Sequence, residues 1–175
     1  MMDKIEYKQI LQSDVDEKLF ADIMKVESAR DTGYSEDAMR MLWQTSGINV
    51  NFVCTLNDRI IGHISFNPNS KRRNGSIYMV NLTIDPAFVR RGFAQNLILE
   101  SCKYFINQGE TKLMSLHVDK DNQPAVNLYH KVGFENREPI CEADEDDEQF
   151  IMDNNLQTIK YTIENLNKGT KNEKF

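Results

Sequence analysis

The stretch Val80-Asn81-Leu82-Thr83-Ile84-Asp85-Pro86-Ala87-Phe88-Val89-Arg90-Arg91-Gly92-Phe93-Ala94-Gln95 reads as a strand, a tight loop and the first turn of a helix. The leading N–H groups of a helix have no partner inside it, and the helix dipole places partial positive charge there, so such a junction suits an anionic phosphate. Gly92 lets the backbone approach a ligand closely, and the small Ala94 lets the helix press against a sheet. Arg90 and Arg91 add positive charge at the same place. The Lys-Ser or Lys-Thr pair of the P-loop is missing, as are the three glycines of the dinucleotide fingerprint. Taken alone, the loop reads equally well as a solvated helix start.

A second segment changes the balance. Asn122-Gln123-Pro124-Ala125-Val126-Asn127-Leu128-Tyr129-His130-Lys131-Val132-Gly133-Phe134 follows directly on a strand-like run. Together the two segments resemble the acyl-CoA-binding core of the GNAT superfamily of N-acetyltransferases. Val89-Arg90-Arg91-Gly92-Phe93-Ala94 is similar to that family's Arg/Gln-x-x-Gly-x-Gly/Ala pyrophosphate loop, departing from it at Val89. The second segment is similar to its Asn-x-x-Ala-x-x-Leu-Tyr-x-x-x-Gly-Phe motif and agrees at every named position. The resemblance runs from the first strand to about Leu156.

The resemblance implies transfer of an acetyl group from acetyl-CoA, as co-substrate and without a metal, to an amine of a small molecule or peptide by direct attack in a ternary complex. It implies a GNAT-like α/β fold, a mixed and mostly antiparallel sheet with a parallel central pair, flanked by helices. The cofactor's pantetheine arm would lie along Leu82, Thr83 and Ile84 as an added strand. Its pyrophosphate would rest on backbone N–H groups from Arg90, Arg91, Gly92, Phe93, Ala94 and Gln95, with Val89 contributing no polar side chain. Asn122 and Ala125 would border the arm, and Tyr129 would protonate the departing sulfur, a phenol of pKa about 10 being matched to a thiolate of about 8.5–9. Ile77 to Ile84 carries no acid to act as base, which leaves His63, His117, Glu27 or a chain of waters. The same residues admit a rival, a non-catalytic acyl-CoA-binding sensor or interaction module of the same fold.

The elements that must position these residues are legible from periodicity. Asp3 to Gln9 alternates as an entering strand, and Ser13 or Asp14 can cap a helix with Val15, Leu19, Phe20, Ile23, Met24 and Val26 inward. Ser35 starts a second helix. Ile48 to Cys54 and Ile60 to Phe66 make a hairpin about Asn57-Asp58, and Ile77 to Ile84 a further strand. Arg90 to Gln108 is helical, Leu113 to Val118 a strand, Gln123 to Val132 a helix ended by Gly133, and Pro139-Ile140-Cys141 a strand. That order predicts a parallel segment with crossovers. Phe150 to Met152 is a last strand, Leu156 to Leu166 a last helix, and Lys168 to Phe175 a frayed tail.

At 175 residues with 40% hydrophobic and 27% charged side chains, the chain suits one folded domain, taken here as residues 1–156, followed by a helix and polar tail at 157–175. A net charge of −6 opposes binding to nucleic acid. No apolar run is long enough to span a bilayer and no signal peptide opens the chain, so the expected place is the cytoplasm, away from membranes. Cys54, Cys102 and Cys141 read as buried thiols. The acidic run Glu142 to Glu148 reads either as a solvated loop or as a lure for a cationic amine, and the apolar stripe of the last helix either packs on its own domain or serves a homodimer.

Overall fold

The computed structural model describes residues 3–29, 35–38, 40, 49–69, 75–110, 112–138 and 148–172. Among them, β1 (Ile5–Ile10), α1 (Glu17–Ser28), β2 (Val50–Leu56), β3 (Arg59–Asn67), β4 (Ile77–Ile84), α2 (Phe93–Asn107), β5 (Leu113–Asp119), α3 (Gln123–Val132), β6 (Glu135–Arg137), β7 (Gln149–Asn155) and α4 (Leu156–Asn172) follow in order. The described strands are hydrogen-bonded in the order β1-β2-β3-β4-β5-β7-β6. β4 and β5 run parallel, whereas β1-β2, β2-β3, β5-β7 and β6-β7 are antiparallel. This is the mixed, mostly antiparallel α/β sheet with one parallel pair that the sequence predicts.

The chain divides into two compact units, Met1–Asn69 with Met79–Ser101, and Ser70–Tyr78 with Cys102–Phe175. In the first unit, the β2-β3 hairpin turns through Asn57 (φ 50°) and Asp58 (φ 64°), two consecutive left-handed residues that match the twist of the flanking strands. α1 buries Phe20, Ile23 and Val26, and Ile10, Ile23 and Val53 form a core patch with Val15, Leu19 and Ile60 against it. The cap of α1 is Asp16, whose side chain accepts a hydrogen bond from the Leu19 N–H at 2.7 Å. Ser13 and Asp14 fall instead in a 3-10 turn at Gln12–Asp14 that precedes the helix. The Ser35 side chain accepts from the Ala38 N–H, as a cap does, while the rest of the predicted second helix lies outside the described residues.

In the second unit, alternation along β5 buries Met114, Leu116 and Val118, and the Cys102 thiol lies 3.7 Å from the Met114 sulfur. α3 buries Val126, Tyr129 and Val132 and stops at Gly133, whose φ of 101° only glycine adopts without strain. The predicted strand at Pro139 to Cys141 lies outside the described residues. β6 stands earlier, at three exposed residues that pair with β7 antiparallel. Helix α4 continues to Asn172, past the point where a frayed tail was expected. Among the described residues no helix is long and apolar enough to cross a membrane.

Candidate active site

In the first unit the loop between β4 and α2 is held from several sides. Asp85 accepts from the Ala87 N–H at 2.9 Å and starts a 3-10 turn, Pro86–Phe88. Its carboxylate also pairs with the Arg59 guanidinium. Arg59 and Arg91 lie over the Phe88 ring at 5.3 and 5.5 Å, and Phe93 meets its edge at 6.5 Å. The Phe88 ring thereby anchors a backbone that otherwise adopts an uncommon course.

Val89 is extended (φ −64°, ψ 159°), and Arg90 (φ 63°) and Gly92 (φ 82°) are both left-handed. A left-handed non-glycine residue is uncommon and marks a constraint. Alternation of this kind turns successive N–H groups toward one side and forms a cradle for an anion. The Asn96 N–H makes the first bond back to Gly92, so the N–H groups of Phe93, Ala94 and Gln95 precede the closed helical ladder. Nothing lies within 4 Å of the place where a Cβ on Gly92 would stand. Val89, Arg90, Arg91 and Gly92 are exposed. These residues fit a pyrophosphate.

Behind Leu82, Thr83 and Ile84 lies a buried polar network that periodicity did not reveal. Glu27 on α1 and His63 on β3 are both 0% exposed. The His63 Nδ1–H donates to Glu27 Oε1 at 2.7 Å, while Asn81 Nδ2 and Thr83 Oγ1 donate to Glu27 Oε2 at 2.8 and 2.9 Å. His63 Nε2 faces the Asn51 side-chain oxygen at 3.3 Å. Burial works to raise the Glu27 carboxyl, but hydrogen bonding and charge from His63, with donation from Asn81 and Thr83, outweigh it and hold the group below its ordinary value. Glu27 and His63 thus satisfy each other deep in the unit.

In the second unit, the Asn122 side chain accepts from the Ala125 N–H at 3.3 Å and caps α3, a local structural role in addition to the one its motif implies. Ala125 is half-buried in the first turn. Tyr129 is buried, with its ring edge against Phe134 at 5.9 Å. On the adjoining strands, the Tyr78 hydroxyl lies 3.1 Å from His117 Nδ1. The structure therefore groups Leu82 to Ile84 and Val89 to Gln95 in one unit, and Asn122, Ala125 and Tyr129 in the other. The acidic run, apart from Glu148, and Cys141 lie outside the described residues.

A family model described as the acetyltransferase (GNAT) family matches residues 17–134. The chain is 25% identical over 130 residues to an L-amino acid N-acetyltransferase of Escherichia coli, covering 74% of this chain and 77% of that protein. Over 94 residues it is 29% identical to an uncharacterized N-acetyltransferase of Methanocaldococcus jannaschii, covering 51% of this chain and 40% of that protein, so the match spans less than half of that relative's length. The solved structure of the PaiA N-acetyltransferase from Thermoplasma acidophilum in complex with coenzyme A superposes with a TM-score of 0.66 at 18% identity, covering 87% of this chain and 99% of that one. At that identity the likeness is one of fold.

Proposed function

The chain belongs to the acetyltransferase (GNAT) family, and from that premise we propose that it moves an acetyl group from acetyl-CoA to an amine of a small molecule or peptide by direct attack in a ternary complex. The observation that supports the reading is the exposed loop ahead of α2, where Arg90 and Gly92 are both left-handed and a Cβ on Gly92 would meet open space. In this reading the N–H groups of Arg90 to Gln95 hold the pyrophosphate. The Arg90 and Arg91 side chains add charge, and the backbone of Leu82 to Ile84 takes the pantetheine amides. The bound cofactor supplies an activated thioester. Asn122 and Ala125 border the pantetheine arm, and Tyr129 gives its phenolic proton to the leaving sulfur. The same assignment treats residues 1–156 as the transferase domain, 157–175 as an appended helix and tail, and the cytoplasm as the place of work.

An α-amine of a free amino acid heads the candidate acceptors, because the chain is similar to an L-amino acid N-acetyltransferase. Polyamines, aminoglycosides and lysine peptides follow, drawn by the acidic run at Glu142 to Glu148. The test is calorimetric titration with coenzyme A and acetyl-CoA, followed by mass spectrometry of this amine panel after incubation with acetyl-CoA. Cofactor binding with an acetylated product supports the transferase. Binding with no product from any amine favours the sensor module, and no binding at all refutes both.

A further inference from the structure

Strands β4 and β5 carry a polar seam within the second unit. Their parallel ladder joins Ile77 to Met114 and Tyr78 to Ser115. The hydroxyls of Ser76 and Ser115 lie 2.6 Å apart and are sealed from solvent, at 2% and 1% exposure. One step along, the Tyr78 hydroxyl and His117 Nδ1 lie 3.1 Å apart, with ring centroids at 5.7 Å, and both residues are only half-buried. Period-two alternation sets Ser115 and His117 on one face of β5 and the apolar Met114 and Leu116 on the other. The seam therefore opens from a closed serine pair to a tyrosine and a histidine that solvent can reach.

Among the described residues, groups that neighbour His117 can be named strand by strand. Tyr78 faces it from β4, and Asp119 follows it on its own face of β5. On β7 its partner is Ile151, with Gln149 and Asp153 to either side, and Arg137 of β6 stands opposite Ile151 and 3.9 Å from the Asp153 carboxylate. An imidazole has an unperturbed pKa of about 6.5, the range a proton acceptor needs near neutrality. The other two side chains that the sequence offers as bases, Glu27 and His63, are both fully buried and bonded to each other.

We propose that His117 is the proton acceptor of the acetyl transfer, reached through the Tyr78 hydroxyl that is hydrogen-bonded to its Nδ1. The inference rests on the transferase reading above and deepens it. An N–H proton of the acceptor amine passes to the Tyr78 oxygen as Tyr78's own proton passes to His117 Nδ1. The amine nitrogen forms its bond to the acyl carbon, the carbon–sulfur bond breaks with its electron pair on sulfur, and the sulfur takes the proton of Tyr129. His117, then an imidazolium, returns its proton to water, and Tyr129 regains one.

Two variants and two readouts test this. With the best acceptor of the amine panel, His117→Gln and Tyr78→Phe are each expected to lower kcat about 100-fold and to flatten the ascending limb of the kcat against pH profile. Acetyl-CoA affinity by calorimetry is expected to stay within about twofold of wild type, as befits groups that move a proton rather than hold the cofactor. In the free protein, nitrogen-15 NMR of the imidazoles is expected to show His117 with its proton on Nε2 and Nδ1 accepting, a bias that Tyr78→Phe abolishes. Either variant keeping the wild-type kcat and pH limb overturns the proposal, and so does a His117 that carries its proton on Nδ1. If His117→Gln loses cofactor binding through misfolding, Tyr78→Phe, which removes a single oxygen, decides. Failure of the wild type to bind or acetylate anything sinks the transferase reading itself, whereas an active wild type with equally active variants sinks only the assignment of the pair.

Discussion

Replacing Glu27 tests whether the buried network holds the first unit together. The carboxylate accepts from His63 at 2.7 Å, Asn81 at 2.8 Å and Thr83 at 2.9 Å, with no solvent exposure. Glu27→Ala strands all of these donors in a dry interior, and toward the low end of about 1–3 kcal/mol for each stranded donor the loss is about 3–5 kcal/mol. Glu27→Gln is gentler. Its oxygen can keep Asn81 and Thr83, and its amide can donate to Nδ1 once His63 shifts its proton to Nε2, which already faces the Asn51 oxygen at 3.3 Å. What is lost is charge assistance, roughly half the alanine penalty. For a chain of this length about 2–4 °C of Tm accompanies each kcal/mol, so Glu27→Ala should melt roughly 10 °C below wild type and Glu27→Gln roughly 5 °C below. Urea denaturation at pH 7 with an unchanged slope checks the free energies, and scanning calorimetry checks the melting points. Because the folded carboxyl is held below its ordinary value, its contribution is present above the unfolded pKa of about 4.3 and is lost as pH falls through the folded pKa. The gap between wild type and Glu27→Ala should narrow as pH falls below about 5. An alanine variant that melts within about 2 °C of wild type, or a gap that ignores acidification, would refute the account.

Other outcomes follow from the same geometry. Gly92→Val forces a β-branched residue into φ 82°, so it should lose about 1–3 kcal/mol of stability and weaken coenzyme A binding by calorimetry. Arg91→Ala should weaken that binding several-fold in dilute buffer and far less at 1 M salt, where the screening length falls to about 3 Å. Tyr129→Phe should lower kcat about 100-fold while leaving the KM for acetyl-CoA near wild type, read from initial rates by mass spectrometry. Asn122→Ala removes the cap of α3 and should cost about 1 kcal/mol in urea denaturation, a loss separable from any change in KM.

How much of this was legible in the sequence depended on range. β4 and α3 carry strong local signals, an apolar β-rich run closed by Asp85-Pro86 and a helical apolar spacing ended by Gly133, and both stand where the pattern put them. The start of α1 was misplaced because Ser13, Asp14 and Asp16 are all competent caps, and only the 3-10 turn decides among them. β6 was missed because Glu135, Asn136 and Arg137 are polar and exposed, so this edge strand exists through its pairing with β7 rather than through an apolar pattern. The partners of Glu27 stand 36, 54 and 56 residues away, and Tyr78 and His117 are 39 apart. Propensity and periodicity carry no information at such separations. Glu27, His63 and His117 could be singled out as chemically able, but only the fold separates a sealed pair from a reachable one.

The burial of two thiols has a practical consequence for measuring turnover. Cys54 and Cys102 are both 0% exposed, and burial pushes the Cys54 thiol up to about 11 and raises Cys102 as well. At neutral pH neither presents the thiolate that disulfide-exchange dyes require. Colour that grows with time in such an assay therefore counts free coenzyme A leaving the enzyme, over a fixed background to which the folded protein adds at most the single equivalent of Cys141.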